Sequence, residues 1–199
     1  RQVGGELSGI GHGFETFDWE LDVAINERTA AVVYFAGTHM GRNALPLEFV
    51  IEHAHVRGVP VIVDAAAQVP PVENLWYFSR DLGADIVIFS GGKGLSGPAS
   101  TGLVVGRARF VERLAANAAP LQRYGRPMKV GKEDLVGLPA AVGWYLTQAH
   151  AALSRRDGAM FRHLVARGRH GGGAARTRGG SGHGRPGRRP RAAARRWVL

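Results

Sequence analysis

Three short, mainly apolar runs of strand length constrain any fold of this chain: Ala30-Ala31-Val32-Val33-Tyr34-Phe35-Ala36, Val59-Pro60-Val61-Ile62-Val63 and Ala84-Asp85-Ile86-Val87-Ile88-Phe89. Strands built this way are apolar on both faces and belong in the middle of a covered sheet. Pro60 is tolerable because it falls near a strand start. Between the runs the period changes. Leu45 to Arg57 has helical spacing (Leu45, Leu47, Val50, Ile51, Ala54) and stops at Gly58, and Asn74 is placed to cap a short helix over Leu75–Leu82 that Gly83 closes. A fourth strand is predicted over Thr101–Val105, with helices over Arg109–Ala118 and Glu133–Leu153. Alternating strands and helices predict an α/β domain with a mainly parallel sheet and helices on both faces. In such sheets ligands sit beyond the carboxyl ends of the strands.

Charge divides the chain in two. Arg162–Leu199 holds 11 of the 26 basic residues, all arginine, and no acid, leaving 15 basic side chains against 16 acidic in the rest. The expected organisation is therefore a folded, nearly neutral part over 1–160 and an Arg/Gly-rich tail over 161–199. From His170 to Arg196 the tail is Gly, Arg, Ala and Pro with few polar residues, a composition expected to stay disordered. Two readings of it stand: an arginine–glycine arm for RNA, or a GC-rich gene read out of frame. The second is preferred because the boundary cuts into a helical pattern. Nucleic-acid binding is thus expected to be weak and through the tail, if it occurs. The absence of cysteine excludes a disulfide scaffold, a cysteine nucleophile and thiolate metal sites. No apolar run approaches membrane-spanning length. The chain opens on Arg1 with no targeting pattern, and Arg1 reads as a cut, not a natural start.

The strand ends carry the chemistry. Asp64 closes the second strand in Val63-Asp64-Ala65-Ala66-Ala67-Gln68, and the third runs into Ser90-Gly91-Gly92-Lys93-Gly94, followed by Gly97-Pro98 and Thr101-Gly102. A carboxylate and an amine 29 residues apart thus share one rim. A P-loop is excluded, since Val87 stands where its first glycine belongs and Gly94 where Ser/Thr should follow the lysine. Gly9-Ile10-Gly11-His12-Gly13 fails as a dinucleotide loop, because Phe14 takes the last glycine position and no strand is predicted before it. His53 and His55 fall on different helix faces and read as surface residues, not metal ligands; His12 and His39 read as loop or surface residues. No metal site is expected.

A lysine with an acidic partner fits pyridoxal phosphate, which needs an amine for its aldehyde and a carboxylate to keep its pyridine nitrogen protonated. The small residues after Asp64 leave room for a flat ring. Ser90 and the neighbouring backbone amides are placed to take a phosphate.

Val-Asp-Ala-Ala-Ala-Gln followed by Phe-Ser-Gly-Gly-Lys-Gly-x-x-Gly-Pro-x-x-Thr-Gly resembles the fold-type-I pyridoxal phosphate enzymes, in particular the group related to bacterial selenocysteine synthase and D-glucosaminate-6-phosphate ammonia-lyase. The resemblance covers about Gly4 to Leu153, including Ala44–Glu48 and Gly125–Glu133, and is dense from Asp64 to Gly106. It implies an incomplete large domain of the aminotransferase-like fold. It also implies that Lys93 forms the Schiff base and Asp64 pairs with the pyridinium nitrogen. Ala66 would pack on the ring, Ser90 would bind the phosphate, and Gln68 would reach towards the ring hydroxyl, although it stands four residues after Asp64 where related enzymes use three. Gly92 joins the cofactor-binding set at a position where class-V relatives often carry histidine, which points away from cysteine desulfurases. Arg126 and Lys129 are candidates for an anionic substrate group or a partner subunit's phosphate.

The resemblance further implies a cytoplasmic homo-oligomer acting on a small amino substrate, an amino acid or amino sugar acid. The expected reaction is α,β-elimination or replacement by a transferase or lyase, with Lys93 as proton-transfer base. The alternatives are an inactive truncated product and an RNA-binding protein that works through its tail.

Overall fold

The computed structural model describes residues 4–12, 15–37 and 43–148, and the backbone of 195–198. Residues 1–147 and 193–199 belong to one compact unit. Its sheet has six strands: β1 (Gly5–Ser8), β2 (Thr29–Phe35), β3 (Val61–Asp64), β4 (Ile86–Ser90), β5 (Gly102–Gly106) and β6 (Arg195–Val198), in the order β1-β6-β2-β3-β4-β5. All neighbours run parallel except β4 and β5. The five α-helices described are α1 (Asp18–Ala24), α2 (Leu47–Val56), α3 (Asn74–Trp76), α4 (Ala108–Ala115) and α5 (Lys132–Thr147).

The directions follow from the connections. β2 to β3 is bridged by α2, and β3 to β4 by α3 with a π-helical turn over Tyr77–Asp81, and a helical crossover returns the chain parallel. Between β4 and β5 only the loop 91–101 intervenes. Without a helix to carry it back, the chain reverses and pairs antiparallel, Ser90 against Gly102 and Ile86 against Gly106. Lys93 lies in that reversing loop.

Alternation along the strands sorts the core from the opposite face. On one side Val32, Val61, Val63, Val87 and Phe89 are buried under Leu47, Val50, Ile51 and Ala54 of α2 and under Phe78, whose ring lies 6.5 Å from that of Phe89. On the other, Phe35, Asp64, Ile88 and Val104 are register partners across four strands. Phe35, Ile88 and Val104 are exposed at 39%, 37% and 38%, so this face is open towards the carboxyl ends of the parallel strands.

At the opposite end of the same strands Asp85 is buried. Its Oδ2 accepts Val61 N–H at 2.9 Å and lies 2.8 Å from His55 Nε2, while Arg107 Nε and Arg109 Nη2 approach Oδ1 at 3.3 and 3.6 Å. This carboxylate ties α2, β3, β4 and the start of α4 together.

Four expectations change. A strand, β1, does precede Gly9; its sequence Gly-Glu-Leu-Ser has no apolar run to betray it. The nucleotide-loop reading still fails, because the turn after β1 is fixed by Glu20, which accepts the N–H groups of Phe17 (2.8 Å) and Gly11 (3.3 Å) and pairs with His12 at 2.8 Å. Asn74 does not cap a helix through Leu82: Glu73 occupies the cap position, the Asn74 amide donates to the Gln68 carbonyl, and the helix gives way to the π turn at Tyr77. His55 is not a free surface residue but the half-buried partner of Asp85. Disorder does not extend through the expected tail, since Arg195–Val198 form β6, hydrogen-bonded to β1 and β2 on either side. The boundary at 160/161, most of the tail, the predicted helix beyond Gln148 and His39 lie outside the described residues.

Candidate active site

Asp64 ends β3 on the open sheet face, half buried, with its Oδ1 accepting Ala66 N–H at 3.0 Å. That bond is local: an aspartate closing a strand folds back on the amide two residues on and fixes its own rotamer. It leaves Oδ2 without a hydrogen bond among the described residues. The chain then bends along β4, with Ala65 N–H donating to Ile88 O at 2.9 Å and Ser90 N–H to Ala66 O at 3.3 Å. Asp64, Ala66 and Ser90 are therefore brought to one rim.

The reversing loop is held by its own backbone. Gly91 N–H donates to Thr101 O at 2.9 Å, Gly97 N–H to Gly91 O at 2.7 Å and Ser96 N–H to Lys93 O at 2.9 Å. Three glycines, Gly91, Gly92 and Gly94, are required by close approach. A Cβ on Gly91 would run into Thr101 Oγ1, and one on Gly94 would run into the Val69 carbonyl. The second contact seats the Lys93 turn against the segment that follows Asp64. Lys93 itself is exposed and forms no ion pair among the described residues, so its amine is available. Gly92 packs on Ala99, where a Cβ would stand 2.6 Å from Ala99 Cα.

Gln68 is turned back onto the strand ends. Its Nε2 donates to Ala36 O at 3.0 Å, and Ala36 N–H donates to Asp64 O at 2.8 Å, so Gln68 stands one backbone link from the carboxylate residue. Arg126, in a 3-10 turn over Arg126–Met128, is half buried, and Lys129 is exposed. Among the described residues no group of three or more His, Asp or Glu is placed to hold a metal, and no helix is long and apolar enough to cross a membrane.

A carboxylate with one tethered and one open oxygen, an unpaired lysine, a serine hydroxyl and a rim lined by alanine and glycine fit pyridoxal phosphate, with an anion for its ring nitrogen, an amine for its aldehyde and donors for its phosphate. Residues that sequence reasoning did not single out are Thr101 and Val69, which shape the lysine turn. Thr101 was visible only as part of a motif, and Val69 acts through its backbone, which no side-chain pattern reveals.

Comparison with known proteins gives the family of the chain. Residues 15–130 match the aminotransferase class-V family, and the chain belongs to that family, whose enzymes use pyridoxal phosphate. It is 38% identical over 148 residues to D-glucosaminate-6-phosphate ammonia lyase of Salmonella typhimurium, covering 73% of this chain and 37% of that protein. It is 42% identical over 144 residues to 5'-C-glycyluridine monooxygenase-decarboxylase of a Streptomyces species (71% and 34% covered). L-seryl-tRNA(Sec) selenium transferase of Alkaliphilus metalliredigens is 30% identical over 164 residues (74% and 33%). A solved structure of D-glucosaminate-6-phosphate ammonia-lyase superposes with a TM-score of 0.60 at 34% identity, covering 70% of this chain and 36% of the other. The chain thus spans about a third of the length of the curated relatives it matches.

Proposed function

We propose that the protein containing this chain is a pyridoxal-phosphate-dependent lyase or transferase, and that Lys93, Asp64, Ala66, Ser90, Gln68 and Gly92 form most of one cofactor site. The substrate class is an amino acid or amino sugar acid, and the reaction an α,β-elimination or replacement. The observation that carries the reading is the placement of Asp64 on the open sheet face, one strand from Ser90, with the Lys93 turn seated on the segment between them.

Pyridoxal phosphate, when bound, supplies an electron-withdrawing ring that stabilises negative charge on the substrate carbon beside the amine. The chain's own residues do the rest. Asp64 holds a proton on the ring nitrogen by its charge, which its tether to Ala66 N–H keeps aimed. The Ser90 hydroxyl would bind a phosphate oxygen, since the Ser90 and Gly91 N–H groups are already engaged by Ala66 O and Thr101 O. Lys93 would take and return the proton at the substrate carbon beside the amine. Arg126 and Lys129 are placed to meet an anionic substrate group. The relatives' names span a lyase, a transferase and a monooxygenase-decarboxylase, so the choice among reactions rests on the substrate pocket and not on this rim. The reading includes a cytoplasmic homo-oligomer, checked by sedimentation and by cell fractionation.

The test is chemical. The protein is incubated with pyridoxal phosphate, reduced with borohydride and mapped by peptide mass. The label is expected on Lys93; a label confined to Lys129 or Lys132 rejects the assignment.

A further inference from the structure

The Lys93 loop is held at a second point, by residues remote from the strands that carry it. Ser100 Oγ–H donates to Asp134 Oδ2 at 2.9 Å, and the same oxygen accepts Gly131 N–H at 3.2 Å. Asp134 is the third residue of α5 and Gly131 the residue before the helix. One carboxylate therefore caps the helix start and grips the loop.

Behind this latch the helix leaves the loop almost no clearance. A Cβ on Gly137 would stand 2.7 Å from Pro98 Cγ, one on Gly97 3.2 Å from Ala141 Cβ, and one on Gly91 3.0 Å from Leu138 Cδ1. The helix itself cannot drift, because Tyr145 is 2% exposed in the core and Leu138 and Val142 pack against that core. Inside the loop, Thr101 N–H and Oγ–H both donate to Pro98 O, at 3.1 and 2.7 Å, and the Gly91–Thr101 and Gly97–Gly91 bonds close the rest. A shift at Ser100 thus reaches Lys93 through a short, closed backbone path.

We infer that Asp134 is a positioning residue for Lys93: through Ser100 it fixes the reversing loop against α5, and so sets where the lysine amine stands relative to Asp64. The inference rests on reading Lys93 as the cofactor lysine, and its test separates the two ideas. A carboxylate that only capped the helix would stabilise α5 without regard to the loop. The Ser100 bond is what distinguishes the roles, and it can be removed alone.

The experiment uses the 199-residue chain and the variants Ser100→Ala, Asp134→Asn and Asp134→Ala. Hydrogen–deuterium exchange, read by mass spectrometry without any cofactor, follows peptides covering 91–101 and 131–140. Ser100→Ala is expected to speed exchange in 91–101 by about three- to ten-fold, the population shift for losing one hydrogen bond, and to leave 131–140 unchanged. Asp134→Ala is expected to speed both, and Asp134→Asn, which keeps an acceptor oxygen, to stay near the parent. In the second arm, borohydride-fixed labelling with subsaturating pyridoxal phosphate is expected to fall at Lys93 by about three-fold or more in Ser100→Ala at nearly unchanged Tm, to fall also in Asp134→Ala, whose lost helix cap lowers Tm as well, and to recover in Asp134→Asn. Unchanged loop exchange in Ser100→Ala overturns the latch, as does a label loss in that variant that merely tracks a falling Tm. Should Asp134→Ala fail to fold, Ser100→Ala decides, because it leaves the cap intact. A parent chain unlabelled at Lys93 overturns the cofactor reading, while the exchange arm still decides whether the loop is latched.

Discussion

Asp64 and Ile88 stand opposite each other in the β3–β4 ladder, on the sheet face where Ile88 is 37% exposed. A carboxylate placed among half-open apolar neighbours keeps its charge in contact with water while offering a flat apolar surface on either side. That combination suits a cationic ring lying along the face.

Replacing Asp64 with asparagine tests the charge at constant shape. The Ala66 N–H bond survives, since the amide oxygen still accepts, so Tm is expected to stay within a few degrees of the parent. Turnover of the complete enzyme is expected to fall by about two orders of magnitude or more, because a neutral partner no longer holds the ring-nitrogen proton. Turnover within a few-fold of the parent would take Asp64 out of the site.

Gly94→Ala tests the seat of the lysine turn. The added methyl meets the Val69 carbonyl, a backbone atom that cannot rotate aside. Overpacking of this kind costs about 1–3 kcal/mol and is relieved most readily by moving the loop. Labelling of Lys93 is expected to drop sharply while far-ultraviolet circular dichroism stays unchanged, and full labelling with unchanged kinetics contradicts the contact.

The buried carboxylate at the other end of the sheet is a stability test with no catalytic component. Asp85→Ala leaves the buried Val61 N–H without its acceptor and the half-buried His55 without its partner, while Arg107 and Arg109 stay hydrated, a loss on the order of 1–3 kcal/mol, and the urea midpoint is expected to fall accordingly. Arg109→Ala is expected to cost less than about 1 kcal/mol, since that side chain is 63% exposed and 3.6 Å away. A reversed ranking would show that the ion-pair geometry, not the burial of Asp85, carries the cluster.

Alkaline pH supplies a fourth prediction. Burial raises the phenols of both Tyr34 and Tyr145 above their ordinary value, with Glu48 adding to the first and Glu73 to the second. An acid whose folded pKa is raised binds its proton more tightly in the native state. Its stabilisation is complete below the unfolded value and is lost as pH rises past about 10. Unfolding midpoints measured from pH 9 to 11 should therefore fall more steeply in the parent than in Tyr34→Phe. The phenylalanine variant gives up the bond to Leu45 O at neutral pH but has no phenol to ionise. Parallel curves would refute the linkage.

Much of this architecture was legible in the residues. The runs at Val32, Val61 and Val87 announced a parallel sheet because they are apolar on both faces, with Asp85 the one charge at a strand start. Asp64 and Lys93 stood out because chemistry-bearing side chains followed such runs. What escaped is instructive in physical terms. β1 and β6 are Gly-Glu-Leu-Ser and Arg-Arg-Trp-Val, whose pairing comes from backbone hydrogen bonds and tertiary context and not from a hydrophobic period. The His55–Asp85 pair joins residues 30 apart, and no local pattern encodes it. Thr101, Asp134 and the Val69 carbonyl work by shaping another residue's loop, a role that residue type alone does not disclose.

The slot filled by β6 has a consequence for how the chain acquires its structure. Gly5 pairs with Arg195 and Thr29 with Arg196, so β6 joins two segments that lie far before it in the sequence. β2, β3, β4 and β5 can assemble as each crossover emerges, because every pairing among them is sequence-local. β1 has no partner until β6 is in place, and stays an unpaired polar segment until then. Among the described pairings this closure spans the longest stretch of chain and carries the largest loop-closure cost, which delays the β1 edge relative to the pairings among β2–β5. A nascent chain halted short of residue 195 would then hold a four-stranded sheet with the lysine loop already in place, so that the site is built before the sheet is finished.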